Sequence, residues 1–197
     1  MNKPYSQACE NNKDPILHKI KDIFLESQTV WEIGSGTGQH ACYFAQQLPH
    51  LQWQVTDRAE NLAGINSWIE GTGLENLPQG LALNVSDKQW PCKEIGALFS
   101  ANTLHIMSWP EVECFFAGMG QYLTQDSKVC IYGQFNYNGT YTSASNESFD
   151  QWLQERDSQS GIRDFEAIEK LAKLVGLMVK DDFAMPANNR LLVLQRG

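Results

Sequence analysis

The chain has 197 residues, 42% of them hydrophobic, and a formal net charge of −8 at pH 7. That length suits one α/β domain, and no apolar run approaches about 18 residues, so no transmembrane helix is predicted. Lys and Arg are thinly spread without a basic run, which speaks against DNA or RNA as substrate, because phosphate neutralisation needs a basic patch.

In chain order, Asp14-Pro15 reads as an N-cap followed by proline at the first helical position. Ile16, Leu17, Ile20 and Phe24 then recur at helical spacing to about Glu26. An apolar strand is predicted over 29–33. The helix after it carries Ala41, Phe44, Ala45 and Leu48 on one face and ends at Pro49. A second strand covers 51–56, and a helix with Leu62, Ile65, Trp68 and Ile69 stops at Gly71-Thr72-Gly73. Strands at 81–85 and 95–100 precede a helix opening at Ser108-Trp109-Pro110. A fifth strand covers 128–132. The polar and aromatic stretch 133–148 breaks the alternation. Asp164 is predicted to cap a further helix, closed by Gly176. Strands 177–184 and 190–195 form an antiparallel hairpin around Pro186-Ala187-Asn188-Asn189.

Alternating strands and helices predict a mainly parallel sheet with helices on both faces. In such sheets ligands bind beyond the carboxyl ends of the strands. The loops after the first five strands and the hairpin turn all emerge at that edge.

The first of these loops is Gly34-Ser35-Gly36-Thr37-Gly38. Gly34 and Gly36 permit a tight turn and close approach of a ligand to the backbone, and Gly38 lets the next helix pack closely. A dinucleotide fingerprint, G-x-G-x-x-G, needs a glycine where Gln39 stands, which disfavours a nicotinamide-dependent oxidoreductase. With Glu32 before it, the loop reads acid-x-G-x-G-x-G. That looks like the cofactor loop of class I S-adenosylmethionine-dependent methyltransferases. Asp57, ending the second strand, can accept from a ribose diol; its bland alternative is a helix cap. Asn84 and Val85, ending the third, suit adenine through the amide oxygen and a backbone N–H. Ser35 and Asn102 complete the predicted cofactor set.

His105 follows the fourth strand. Near neutral pH it can take a proton from a nucleophile or orient one, which makes it the candidate catalytic residue; a histidine capping the sheet is the alternative. His40 reads as a packing residue. Asn136, Tyr137 and Asn146 follow the fifth strand, and Asn188 and Asn189 arrive from the hairpin turn. Together they are predicted to orient a small polar substrate, although any one asparagine can serve a turn. Arg163 binds a substrate anion or pairs with Asp157 or Asp164. The signature Asn/Asp-Pro-Pro-Tyr/Phe is absent after the fourth strand, which argues against amino groups of bases as acceptors. Residues 1–5 lack the apolar segment of a secretory signal. The five cysteines (Cys9, Cys42, Cys92, Cys114, Cys130) lack C-x-x-C spacing. Reduced thiols, a cytoplasmic location and no metal site are expected.

Several short stretches then point one way. They are Asn12-Lys13-Asp14-Pro15-Ile16-Leu17, Gly34-Ser35-Gly36-Thr37-Gly38-Gln39-His40, and Leu104-His105-Ile106 with Trp109. Tyr132-Gly133, Asn138-Gly139, Thr142-Ser143, Ser145-Asn146 and Phe149-Asp150 continue the set. Gly161-Ile162-Arg163-Asp164 and Pro186-Ala187-Asn188-Asn189 end it. In these, along nearly its whole length, the chain resembles the methyltransferase-like 26 group, widespread in bacteria and animals and filed as a domain of unknown function. The resemblance implies an α/β, Rossmann-like class I methyltransferase fold. Its seven-stranded, mainly parallel sheet ends in a C-terminal antiparallel hairpin and binds S-adenosylmethionine. It implies one domain over 1–197, with the helical segment 1–27 packed over the cofactor site, and draws Asn12 and Tyr132 into the substrate set. Members often carry Arg at the position of Asn11 and Asp at that of Asn84. The first change removes a cation from the cofactor carboxylate, and the second weakens adenine binding modestly. Two function classes follow: a methyltransferase acting on an O-, N- or S-nucleophile of a small molecule, or a non-catalytic cofactor-binding partner subunit.

Overall fold

The computed structural model describes residues 3–197. The first helix, α1 (Gln7–Ile23), begins well before Asp14, because the Ser6 side chain caps it by accepting from the Cys9 N–H. Asp14 caps nothing and instead accepts from the Tyr43 hydroxyl. Pro15 therefore lies inside the helix. Proline there removes one N–H bond and crowds the carbonyl one turn back; that carbonyl belongs to Asn11, an exposed residue where water can replace the lost donor.

β1 (Thr29–Ile33), α2 (Gln39–Gln47), β2 (Gln52–Asp57), α3 (Leu62–Glu70), β3 (Leu81–Ala82) and β4 (Ile95–Ala101) follow. Next come α4 (Trp109–Tyr122), β5 (Leu123–Gly133), β6 (Phe135–Asn136) and α5 (Ala144–Arg156). The chain closes with β7 (Arg163–Asp164), α6 (Phe165–Leu174), β8 (Leu177–Met185) and β9 (Asn189–Arg196). The main sheet has seven strands in the order β3-β2-β1-β4-β5-β9-β8. The first five are parallel, and β9 runs antiparallel to both neighbours. This is the Rossmann-like α/β sheet with a C-terminal antiparallel hairpin that the alternation predicts. No described helix is long and apolar enough to cross a membrane.

Beyond the early start of α1, the longer β5 and the unpredicted β6 and β7, three further elements depart from the expected pattern. β3 is two residues long, because the chain leaves the sheet at Asn84, whose N–H and carbonyl close a turn with Asp87. α5 has no counterpart in the predicted elements: it is polar, and only Leu153, Asn146 and Asp150 are buried along it. Ser143 caps it by accepting from the Asn146 N–H at 3.1 Å. Asp164 occupies the N-cap position of α6 but makes no side-chain cap bond.

One core lies between the sheet and α1, α2 and α3, around Phe44, Trp53 and Phe99. The other lies under α4 and α6, around Phe115, Phe116 and Ile168. Within the second, Gly118 of α4 has no room for a side chain, since a Cβ there would stand 2.2 Å from the Trp90 ring. Gly118→Ala is expected to cost about 1–3 kcal/mol through overpacking. A urea midpoint equal to that of the wild type would show that Trp90 moves aside freely.

Candidate active site at the carboxyl edge

A cavity of about 790 Å³ opens at the carboxyl ends of the parallel strands. That is within the roughly 300–1,000 Å³ range of small-molecule sites. Its floor is the loop after β1. Gly34, Gly36 and Gly38 all take positive φ (75°, 60° and 82°), as left-handed turns require. Gly34 is packed: a Cβ there would meet Thr103 Cγ2 at 2.4 Å. Gly36 is open, with nothing within 4 Å of where a Cβ would stand. Gly38 lies outside the cavity wall and serves helix packing, since its missing Cβ would contact Ile65 at 3.2 Å.

Asp57 secures this loop. Its Oδ2 accepts from Gly36 N–H at 2.7 Å, while its Oδ1 accepts from Arg58 N–H and Asn61 Nδ2, each at 2.7 Å. A carboxylate offers about four acceptor positions, so Oδ2 keeps capacity for another donor. Ser35 Oγ is turned inward onto Thr56 O at 3.3 Å. Glu32 lies beneath the loop, outside the cavity wall and 1% exposed. Trp53 Nε1 donates to its Oε2 at 2.6 Å. Burial, reinforced by the Asp57 charge and opposed by the Trp53 bond, pushes its carboxyl up to about 8. At neutral pH it is mostly protonated. Asn84 and Val85 line the cavity; the Asn84 Oδ1 already accepts from Ser86 N–H at 3.0 Å in a local turn, which leaves its Nδ2 free to turn to a ligand.

α1 supplies a second wall. Its start is fastened to α2 by Ser6 N–H on Gln39 Oε1 (2.6 Å) and Gln39 Nε2 on Glu10 Oε1 (2.9 Å). Asn12 Oδ1 and His40 Nε2 lie 2.6 Å apart. Both residues line the cavity, so His40 is more than a packing residue, although it does stack on Phe44. Burial lowers its imidazole to about 4.

The far wall comes from the ends of β4, β5 and the hairpin turn. Asn102 takes a left-handed conformation (φ 55°), its N–H donating to Tyr132 O at 2.8 Å. His105 is 5% exposed and meets Phe149 edge-on at 5.2 Å. Burial, with the Arg163 charge adding to it, lowers its imidazole to about 4. His105 is then neutral at pH 7, the form that can accept a hydrogen bond, but a weaker base than the sequence reading expects. Tyr132, Gln134 and Asn189 also line the cavity; among the described residues Gln134 Oε1 and Asn189 Oδ1 are buried without a hydrogen-bond partner, and the buried Tyr132 Oη has the Asn12 side chain beside it without a well-formed hydrogen bond. Unpaired buried oxygens are uncommon and call for water or a polar ligand.

Five residues expected to meet the substrate do not line the cavity. Arg163 donates to the carbonyls of Leu104, Met107 and Gln159, tying β7 to the loop after β4. Tyr137 donates to Asp182 Oδ2 at 2.7 Å and stacks on Phe165. Asn136 pairs through its backbone in the small β6–β7 ladder, and its Oδ1 is buried without a partner among the described residues, away from the cavity wall. Asn146 Nδ2 donates to Thr142 Oγ1 (2.8 Å) and Asn188 O (3.2 Å), and Asn188 Nδ2 donates to Ser145 Oγ (3.1 Å). Those last bonds pin α5 to the hairpin turn. Among wall residues that sequence reasoning missed, Phe149, Trp152 and Arg156 come from α5. Their spacing on one helix face was the available signal.

A seven-stranded sheet with this strand order and a glycine loop at its carboxyl edge defines an α/β Rossmann-like methyltransferase fold. The chain belongs to the family described as "Protein of unknown function (DUF938)", which matches residues 3–196. Among solved structures it is similar to an O-methyltransferase family protein from Burkholderia thailandensis, with TM-score 0.84 and 16% identity over 96% of this chain and 57% of that one. The mitomycin 7-O-methyltransferase MmcR gives 0.83 and 16%, covering 96% of this chain and 54% of that one. An O-methyltransferase family 2 protein from Planctomyces limnophilus, solved in complex with apigenin, gives 0.79 and 14%, covering 96% and 60%. The chain thus spans little more than half the length of these proteins.

Proposed function

We propose that the protein is an S-adenosylmethionine-dependent methyltransferase of the methyltransferase-like 26 group. Its acceptor is an oxygen, nitrogen or sulfur nucleophile on a small polar molecule. The observation that carries this reading is the Asp57 carboxylate gripping the open Gly36 backbone at the cavity floor. An exposed backbone turn beside an acid with a spare acceptor position fits a ribose.

In this reading Gly34, Ser35, Gly36 and Asp57 hold the nucleoside, with Asn84 and Val85 beside the adenine. Asn102 serves the methionine end, and the protonated Glu32 supports the loop from beneath, bonded to Trp53. When bound, S-adenosylmethionine supplies a methyl group already activated by its sulfonium, so catalysis rests mainly on alignment. Asn12, Tyr132 and Asn189 frame the acceptor, whose donors the unpaired oxygens of Tyr132 and Asn189 can receive. Neutral His105 accepts a hydrogen bond from the nucleophile and orients it. With its basicity so low, it suits an acceptor that gives up its proton readily.

Calorimetric titration with S-adenosylmethionine, S-adenosylhomocysteine and NAD tests the reading. Saturable binding of the first two and none of NAD is expected. Failure of both sulfur nucleosides to bind would sink it. Once an acceptor is in hand, His105→Ala should lower kcat about tenfold or more while product affinity holds; unchanged turnover would make His105 structural.

A further inference from the structure

The cavity has a wall that the proposed cofactor does not use. α5 is polar along most of its length, yet Phe149, Trp152 and Arg156, three and four residues apart on one face, all line the cavity. Their groups are layered. The Phe149 and Trp152 rings stack with centroids 5.8 Å apart and planes 19° from parallel. The Arg156 guanidinium lies over the Trp152 ring at 4.6 Å. At the inner end His105 meets Phe149 at 5.2 Å.

Two large apolar side chains stand in water at this mouth: Trp152 is 46% exposed and Ile106, also lining the cavity, is 52% exposed. Exposed apolar surface gathered at a cavity marks a place that something else covers. The charges sharpen the choice. Arg58, also at the cavity, is paired with Glu111, whereas Arg156 makes no ion pair among the described residues. The neighbouring Asp157 carboxylate accepts from Gln159 N–H at 2.9 Å within its own turn. A guanidinium over an indole can still offer N–H donors for two-point contact with a carboxylate. The wall therefore runs from a weakly basic imidazole, along the edges of two stacked rings, to a planar cation without an ion-pair partner.

We infer that this wall is the acceptor subsite and takes a planar aromatic ring bearing a carboxylate. The ring lies against Phe149 and Trp152, the carboxylate on Arg156 and the nucleophilic group toward His105. The inference rests on the methyl-transfer reading and names its acceptor class. An aliphatic acceptor would offer no ring face to the edges of Phe149 and Trp152, and an uncharged one would leave Arg156 without a partner.

The test titrates protein saturated with S-adenosylhomocysteine, using 4-hydroxybenzoate and 6-hydroxy-2-naphthoate as probes. Controls are 4-hydroxybenzamide and cyclohexanecarboxylate. Both aromatic acids should bind saturably, the naphthoate more tightly. The amide and the saturated acid should bind about tenfold more weakly, for want of the charge and the ring respectively. Trp152→Ala should weaken both aromatic acids about tenfold. Arg156→Gln should bring 4-hydroxybenzoate to the level of its amide and leave the amide unmoved. Both variants should keep the wild-type circular dichroism and product affinity, since both side chains are exposed. If the sulfur nucleoside binds but neither acid does, or neither variant changes acid binding, the subsite is wrong while the methyltransferase reading survives. If the sulfur nucleoside itself does not bind, both fall.

Discussion

Asp57→Ala is expected to raise the dissociation constants for S-adenosylmethionine and S-adenosylhomocysteine by about 100-fold or more, a loss of at least roughly 3 kcal/mol. Two effects add. The acceptor proposed for the ribose disappears, and so does the clamp that holds Gly36 N–H, Arg58 N–H and Asn61 Nδ2 in place. The loop would then have to be ordered by the ligand, at the ligand's expense. Asp57 is 7% exposed, so the orphaned donors should also cost stability, about 1–3 kcal/mol for each that stays buried. Asp57→Asn separates the two effects. Its single amide oxygen can serve one side of the clamp, but its NH2 must face a donor on the other. The expected order of affinity is wild type, then Asn, then Ala. Wild-type affinity in Asp57→Ala, measured by calorimetry on protein that melts normally, would remove Asp57 from the cofactor site.

What the sequence made legible is what depends on neighbours along the chain. The period of the apolar residues located the parallel strands, and Gly34 and Gly36 located the turn after the first of them. The rule that ligands lie beyond the carboxyl ends then gathered Asp57, Asn84, Asn102, His105 and Asn189, all of which line the cavity, as does Tyr132, which the family resemblance added. What stayed hidden depends on partners far away. α5 is held by Asp150, which accepts from Ile162 N–H at 2.5 Å, Tyr141 Oη at 2.7 Å and Gln154 Nε2 at 2.7 Å. The spacing of Phe149, Trp152 and Arg156 is the one helical signal in a polar stretch with a single buried apolar side chain, Leu153, too weak to place a helix anchored by a buried carboxylate. Asn146, Asn188, Tyr137 and Arg163 lie near the right edge but have their polar groups committed to holding segments together. Polarity at an edge does not tell a free group from an engaged one. His105 lies at the expected edge without the expected basicity, because its burial comes partly from Phe149 on that unseen helix.

Stability should peak near pH 6.5 and fall on both sides, for reasons set by three buried groups. His40 and His105 are lowered from 6.5 to about 4. Between those values the unfolded chain binds protons that the folded chain refuses, so stability drops as pH falls from about 6.5 to about 4. Glu32 is raised from 4.5 to about 8. The folded chain holds its proton while the unfolded chain has lost it, so this group erodes stability as pH rises from about 4.5 to about 8. Between about 4.5 and 6.5 the two histidines outweigh the one acid; above 6.5 the acid acts alone. A tenfold difference in proton affinity between the folded and unfolded chains is worth about 1.4 kcal/mol, so the ionisable Glu32 costs roughly 3 kcal/mol at pH 7. Glu32→Gln removes that cost and keeps an oxygen for Trp53 Nε1. The variant is expected to be roughly 3 kcal/mol more stable than the wild type at pH 7 and to lose the decline above pH 6.5. Urea unfolding at intervals from pH 4 to pH 9 reads both. Parallel stability curves for the two proteins would mean that the carboxyl is ionised in the fold at neutral pH. Glu32 would then present a negative charge beneath the glycine loop instead of a neutral acid.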